Sequence, residues 1–263
     1  MAAVKAAIVT GASRGIGVTI AARLAKAGYR VALFGRDNAK LSEAVGICAA
    51  AADGEGASPA AAVAAGDARF PTFSVDMKDT ERVRAAVDAA AAALGGLSVL
   101  VCNAAMMQPV SMVDGDPAKW EEELDVNVKG PMACTRFALP HILASGCENK
   151  AVILVGSIVS KLALPGAAGY VSSKHALAGF AGCLFGEVRE KGVKVSLIMP
   201  GFVATELVQD WPGLVFEKML KPDDVANAVD CVLSFSASAC PTEILLRPQY
   251  SPEDGTKFFN GVA

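Results

Sequence analysis

Seven short apolar runs punctuate the chain, at residues 4–10, 30–34, 72–75, 98–102, 151–155, 193–199 and 243–247. Each is too short for an amphipathic helix, and most are bounded by Gly, Pro, Asp or Asn, which is the pattern of strands buried on both faces. Longer stretches with helical start and stop signals lie between them. One runs from Gly15 to Ala27 and is closed by Gly28; a second begins near Asn38; a third covers 79–94 and stops at Gly95-Gly96. Asp116 followed by Pro117 reads as an N-cap with Pro at the first helical position, opening a long helix toward Ala144. A fifth helix spans 169–191, and a sixth starts at Pro222 with Asp223 and Asp224 in its first turn. Seven strands alternating with six helices predict a doubly wound parallel sheet in a three-layer α/β/α arrangement. No repeat or linker divides the chain, so one domain over residues 1–263 is expected. The Ala/Gly-rich stretch 46–66 either extends the second helix or forms a surface loop.

Composition narrows this picture. Hydrophobic residues make up 53% of the chain but aromatics only 6%, so helices should approach closely through small side chains. A net charge of −3 offers no electrostatic face for nucleic acid. The seven cysteines include no C-x-x-C pair and no cluster with His or Asp at metal spacing, so reduced, mostly buried thiols are expected and no metal site. The uncharged run 89–107 is interrupted by Gly95, Gly96, Ser98 and Asn103, which argues against a membrane span. The first residues reach their glycines too early for a secretory leader. A soluble, cytoplasmic protein is expected.

Candidate chemistry begins at TGASRGIG, residues 10–17. This stretch follows the first strand and opens the first helix. Gly11, Gly15 and Gly17 would let the backbone turn tightly against a pyrophosphate, and the helix start offers free N–H groups. The spacing G-x-x-x-G-x-G differs from the common dinucleotide fingerprint. After the second strand the chain reads FGRDN. Gly35 supplies no carboxylate for a ribose 2′-hydroxyl, whereas Arg36, with Arg14 in the glycine turn, could converge on a 2′-phosphate. NADP(H) is therefore the expected cofactor; in the competing reading Asp37 holds the ribose and both arginines are solvated. In GYVSSKHAL, Tyr170 and Lys174 stand four residues apart and share a helix face. An adjacent ammonium would lower the phenol pKa and make Tyr170 a usable general acid or base. Ser172 and Ser173 read as small packing residues, and the acidic residues at 121–125 as a solvated helix face.

In chain order these motifs resemble the short-chain dehydrogenase/reductase family over residues 4–205, and more weakly to 247. TGASRGIG is similar to the family's cofactor turn, including Ser13 and Ile16. Asp76 in VDM resembles an acidic residue near the adenine. Asn103 and Ala104 in CNAA resemble the family's N-A-G turn, although Ala105 stands where Gly is usual. Pro200, Gly201, Val203 and Thr205 in PGFVAT resemble the segment at the nicotinamide carboxamide. The resemblance implies a catalytic tetrad of Asn127, Ser157, Tyr170 and Lys174, with Asn127 interrupting its helix and holding a water linked to Lys174. It also implies a homodimer or homotetramer built on helices 117–144 and 169–191, with Gly179, Ala181 and Gly182 allowing close approach.

The function expected from all this is hydride transfer between NADP(H) and a small carbonyl or secondary alcohol. Met106, Met107, Leu164, Phe202, Leu207 and Trp211 are the candidate substrate walls. Two alternatives stand beside it: a non-catalytic NADP(H)-binding scaffold, and an NAD-linked alcohol dehydrogenase.

Overall fold

A computed structural model describes residues 4–54, 67–209, 211 and 213–252. Every pairing of its seven-stranded sheet is parallel, and the strand order is β3-β2-β1-β4-β5-β6-β7. The strands are β1 (Ala6–Thr10), β2 (Arg30–Gly35), β3 (Thr72–Ser74), β4 (Val99–Cys102), β5 (Lys150–Val155), β6 (Val193–Pro200) and β7 (Glu243–Leu246). β1, β4 and β6 are buried along their whole length because helices cover both faces.

One face carries α1 (Gly15–Lys26), α2 (Asn38–Asp53) and α7 (Pro222–Ser234); the other carries α3 (Thr80–Leu94), α5 (Gly130–Leu143) and α6 (Ala168–Val188). Alternate strand residues feed the two core layers: Ala7 and Val9 pack with the first group of helices, Ala6 and Ile8 with the second. α6 buries Leu177, Ala181, Leu184 and Val188, a stripe at helical spacing that lies on the sheet. Ala181 therefore serves the core, whereas Gly179 and Gly182 are exposed.

The long helix expected over 117–144 is broken. α4 (Pro117–Leu124) leads into a π-helical turn, Asp125–Lys129, before α5 begins. Pro131 has no N–H for the carbonyl of Asn127, so the ordinary helical ladder cannot continue there; Gly130 N bonds instead to Asp125 O, five residues back. The stretch 46–66 contributes to α2 as far as Asp53, and residues 55–66 lie outside the described residues. All seven cysteines are free thiols, but Cys183 and Cys231 are exposed rather than buried. Among the described residues no helix is long and apolar enough to cross a membrane.

Candidate active site

The order of the sheet reverses direction between β1 and β4, and a cleft of about 1150 Å³ opens there at the carboxyl ends of the strands. Its floor is the turn between β1 and α1. Gly11 and Gly15 have φ of +66° and +54°, where a side chain would be strained. A Cβ on Gly17 would stand 2.0 Å from the Gly11 carbonyl oxygen. Gly17 thus lies beneath the turn and lets it sit on the helix, while Gly11, Ser13, Arg14, Gly15 and Ile16 face the cleft. α1 starts with no capping side chain and no acidic residue in its first turn, so its N–H groups and positive dipole end are available to an anion.

Asn103 ties the end of β4 to this turn. Its Nδ2 donates to the carbonyls of Thr10 (3.0 Å) and Gly11 (3.3 Å). The N–H groups of Asn103 and Ala104 both donate to Thr10 Oγ1 at 3.0 Å. Asn103, Ala104 and Ala105 also line the cleft, as does Asp76 after β3.

At one end of the cleft stand Arg14, Arg36, Asp37, Lys40 and Glu206. Asp37 caps α2, accepting from the N–H groups of Ala39 and Lys40. Both arginines of the sequence reading, Arg14 and Arg36, line the cleft. Arg14 is ion-paired with Glu206, on the segment after β6, and Lys40 Nζ lies 3.7 Å from the same carboxylate. Glu206 and Lys40 carried no sequence signal, since nothing in the chain's order indicates that the segment after Thr205 folds back over the glycine turn.

Tyr170 and Lys174 begin the buried stripe of α6, and this sets both on the cleft side of the helix. Lys174 Nζ lies 5.5 Å from the centre of the Tyr170 ring and donates to Val155 O at the end of β5 (3.1 Å). Burial drives the Lys174 ammonium down to about 8. Burial also pushes the Tyr170 phenol up to about 12, partly offset by the Ser157 hydroxyl and reinforced by the charge of Glu123. The lowered phenol expected from the Tyr–Lys spacing is thus corrected: removal from water is the largest influence on the phenol and raises it, and the same burial shifts Lys174 toward its neutral form. Ser157, just past β5, lines the cleft and caps the 3-10 turn Ile158–Ser160, accepting from Val159 N at 3.3 Å.

Asn127 does not line the cleft. The π turn aims its amide at the loop after β4, where Oδ1 accepts from Met106 N (2.9 Å) and Nδ2 donates to Met106 O (2.8 Å). Nδ2 also donates to Ser173 Oγ (3.1 Å), which donates in turn to the Tyr170 carbonyl (2.7 Å). Ser173, read from sequence as packing, is fully buried and relays Asn127 to the turn that carries Tyr170. The acidic stretch 121–125 also needs correction, because Glu123 is fully buried. Pro200, Gly201, Val203 and Thr205 line the cleft, together with Met106, Met107, Leu164, Phe202 and Leu207. Trp211 does not; it packs edge-on against Phe202, ring centroids 6.3 Å apart.

The family model described as short chain dehydrogenase matches residues 5–213. The chain belongs to the short-chain dehydrogenases. An uncharacterized oxidoreductase of Staphylococcus saprophyticus is 31% identical over 246 residues, covering 93% of this chain and 97% of that protein. A 3-oxoacyl-[acyl-carrier-protein] reductase of Staphylococcus aureus is 29% identical over 242 residues, covering 89% of this chain and 92% of its own length. Among solved structures, a metagenomic short-chain oxidoreductase in complex with NADP superposes with a TM-score of 0.75 at 28% identity, covering 94% of this chain and 97% of that one. A 3-ketoacyl-(acyl-carrier-protein) reductase from Brucella melitensis complexed with NADH gives 0.79 at 25%, covering 93% and 97%. As a short-chain dehydrogenase the chain is an oxidoreductase with a Rossmann-type parallel sheet.

Proposed function

We propose that this short-chain dehydrogenase transfers hydride between NADP(H) and a small carbonyl or secondary alcohol of low charge, with Tyr170 as general acid and base. The observation that carries the reading is the burial of the Tyr170 phenol and the Lys174 ammonium side by side at the wall of one cleft whose floor is a glycine turn open to an anion. The residues suit a dinucleotide: side chains at Gly11, Gly15 and Gly17 would be strained or would fill the turn where a pyrophosphate must approach. When bound, the nicotinamide supplies or accepts the hydride.

The chain's own groups do the rest. Tyr170 gives its proton to the substrate oxygen during reduction and takes it back during oxidation. A phenol held near 12 is protonated at neutral pH, the form that proton donation to a carbonyl requires. Ser157 donates a hydrogen bond where negative charge develops on that oxygen. Lys174 holds positive charge below about pH 8 and orients the ribose hydroxyls. Asn127 keeps the Met106 loop and the Tyr170 turn in register.

Preference for the 2′-phosphate is supported by Gly35 at the end of β2, by Arg36 and Lys40 at that end of the cleft, and by the NADP complex of the metagenomic relative. The Brucella reductase, by contrast, is complexed with NADH. The test is a panel of ketones, aldehydes and a 3-oxoacyl thioester, followed by nicotinamide absorbance with each cofactor. Turnover with a lower KM for NADPH is expected; turnover of none of them would leave the scaffold reading, and a clear NADH preference would overturn the cofactor assignment. We also propose a homo-oligomer through the exposed face of α6, where Gly179, Gly182 and Gly186 leave open space for a partner helix.

A further inference from the structure

Glu123 is the one member of its acidic stretch that is wholly removed from water. Its Oε1 accepts from Gln108 N at 2.6 Å, in the loop that runs from β4 past the cleft. Its Oε2 is buried without a hydrogen-bond partner. That oxygen lies against the start of α6: a Cβ on Gly169 would stand only 2.3 Å from it. Gly169 immediately precedes Tyr170, and α6 has Ala167 at its N-cap position, with no side-chain cap and no acidic residue of its own in the first turn. A carboxylate from another element therefore sits at the positive end of the helix that carries Tyr170 and Lys174.

We propose that Glu123 is a positioning residue for Tyr170: its carboxyl braces the loop after β4 against the first turn of α6, next to the residue that carries the phenol. The loop is secured to this region at three points, Met106 by Asn127, Gln108 by Glu123, and Val110 by the carbonyl of Gly166. Met106 and Met107 in this loop line the cleft. Among the described residues, the ionisable groups near Tyr170 are Lys174 on its own helix and Glu123 on α4; Ser157 from the end of β5 and Asn127 from the π turn are uncharged. Glu122, next along α4, is taken up by Lys78 and by the side chain of Gln108. Burial raises the Glu123 pKa while the Gln108 N–H lowers it, and a charged Glu123 makes the Tyr170 proton harder to remove. For turnover the inference rests on the general-acid role proposed above; for titration it needs neither cofactor nor substrate.

The test is tyrosinate absorbance of the full chain after rapid pH jumps, which report ionisation before the protein unfolds. The chain has three tyrosines, and the difference between native protein and Tyr170→Phe isolates Tyr170. In Glu123→Gln, which keeps an acceptor for the Gln108 N–H, Tyr170 is expected to ionise at a measurably lower pH than in the native protein. The alkaline limb of kcat/KM for carbonyl reduction should move down by the same amount, whereas loss of packing alone would lower activity at every pH. Gly169→Ala pushes the carboxyl off the helix and should shift the titration in the same direction, so it carries the test should Glu123→Gln not fold. A Tyr170 titration that coincides with native in whichever variant folds would overturn the proposal. Absence of turnover with an intact titration shift would overturn the assigned reaction and leave Glu123's role standing.

Discussion

Tyr170 and Lys174 show how far a spacing of four residues reaches. Their shared face follows from helical geometry alone, but their proton affinities do not. Both groups are buried, and burial penalises the charged form of each, so the phenol rises and the ammonium falls. Replacing Tyr170 with Phe removes only the hydroxyl and should cut turnover by roughly 10²–10⁴ with cofactor affinity nearly unchanged, as single-turnover rates and cofactor titration would record. Lys174 yields a stability prediction with a definite sign. Its folded pKa, about 8, lies below the ordinary 10.5, so across that window the unfolded chain holds more protons and native stability rises with pH. Below about pH 8 both states are protonated and the burial penalty stands in full. Denaturant midpoints should therefore show the native protein gaining on Lys174→Met between about pH 8 and about pH 10. A constant gap would contradict the buried-ammonium assignment. Glu123 escapes a sequence reading for a related reason: an acidic residue in a run whose other acidic members reach solvent gives no sign that its helix turns that position inward.

At the scale of elements, the strands were legible because two-sided burial leaves continuous apolar runs, and the ends of α3 and the start of α4 because Asp79, Gly95 and Asp116-Pro117 are local caps that act whatever the tertiary context. The break at 125–129 was only half legible. Pro131 announces a missing donor, but whether the chain kinks, ends or widens into a π turn depends on what the freed groups meet. Here Gly130 lies against Met77, where a Cβ would be 2.8 Å from the Met77 Cβ, and Asn127 finds the Met106 backbone. Asn127→Ala strands both backbone groups of Met106 and should lower stability by about 2 kcal/mol or more, seen as a falling denaturation midpoint at unchanged m-value. Gly17→Val is expected to be worse for the turn, because its Cβ would lie 2.0 Å from the Gly11 oxygen and backbone cannot yield as a side-chain tip can. Collapse of dinucleotide binding should accompany it.

At the scale of the molecule, the cleft exists because the strand order reverses between β1 and β4, which brings the glycine turn, the Asn103 corner and the segment after β6 to one rim. Removing a guanidinium there should affect cofactors unequally. Arg36→Ala is expected to raise KM for NADPH about tenfold or more while leaving KM for NADH nearly unchanged, since only the former carries the 2′-phosphate. Equal effects on both would argue against contact with that phosphate. Light scattering tests the proposed oligomer, with a monomer at all concentrations counting against the α6 interface. The order of the strands, the glycine turn and the shared helix face of Tyr170 and Lys174 were determined by the sequence alone, because periodicity, capping and backbone sterics act over a few residues. Only the tertiary structure decided that Glu206 engages Arg14, that Ser173 joins Asn127 to Tyr170, and that Glu123 is buried at the head of α6. Each of these contacts joins residues from separate elements, and hydration and charge at such places depend on what the fold packs against them.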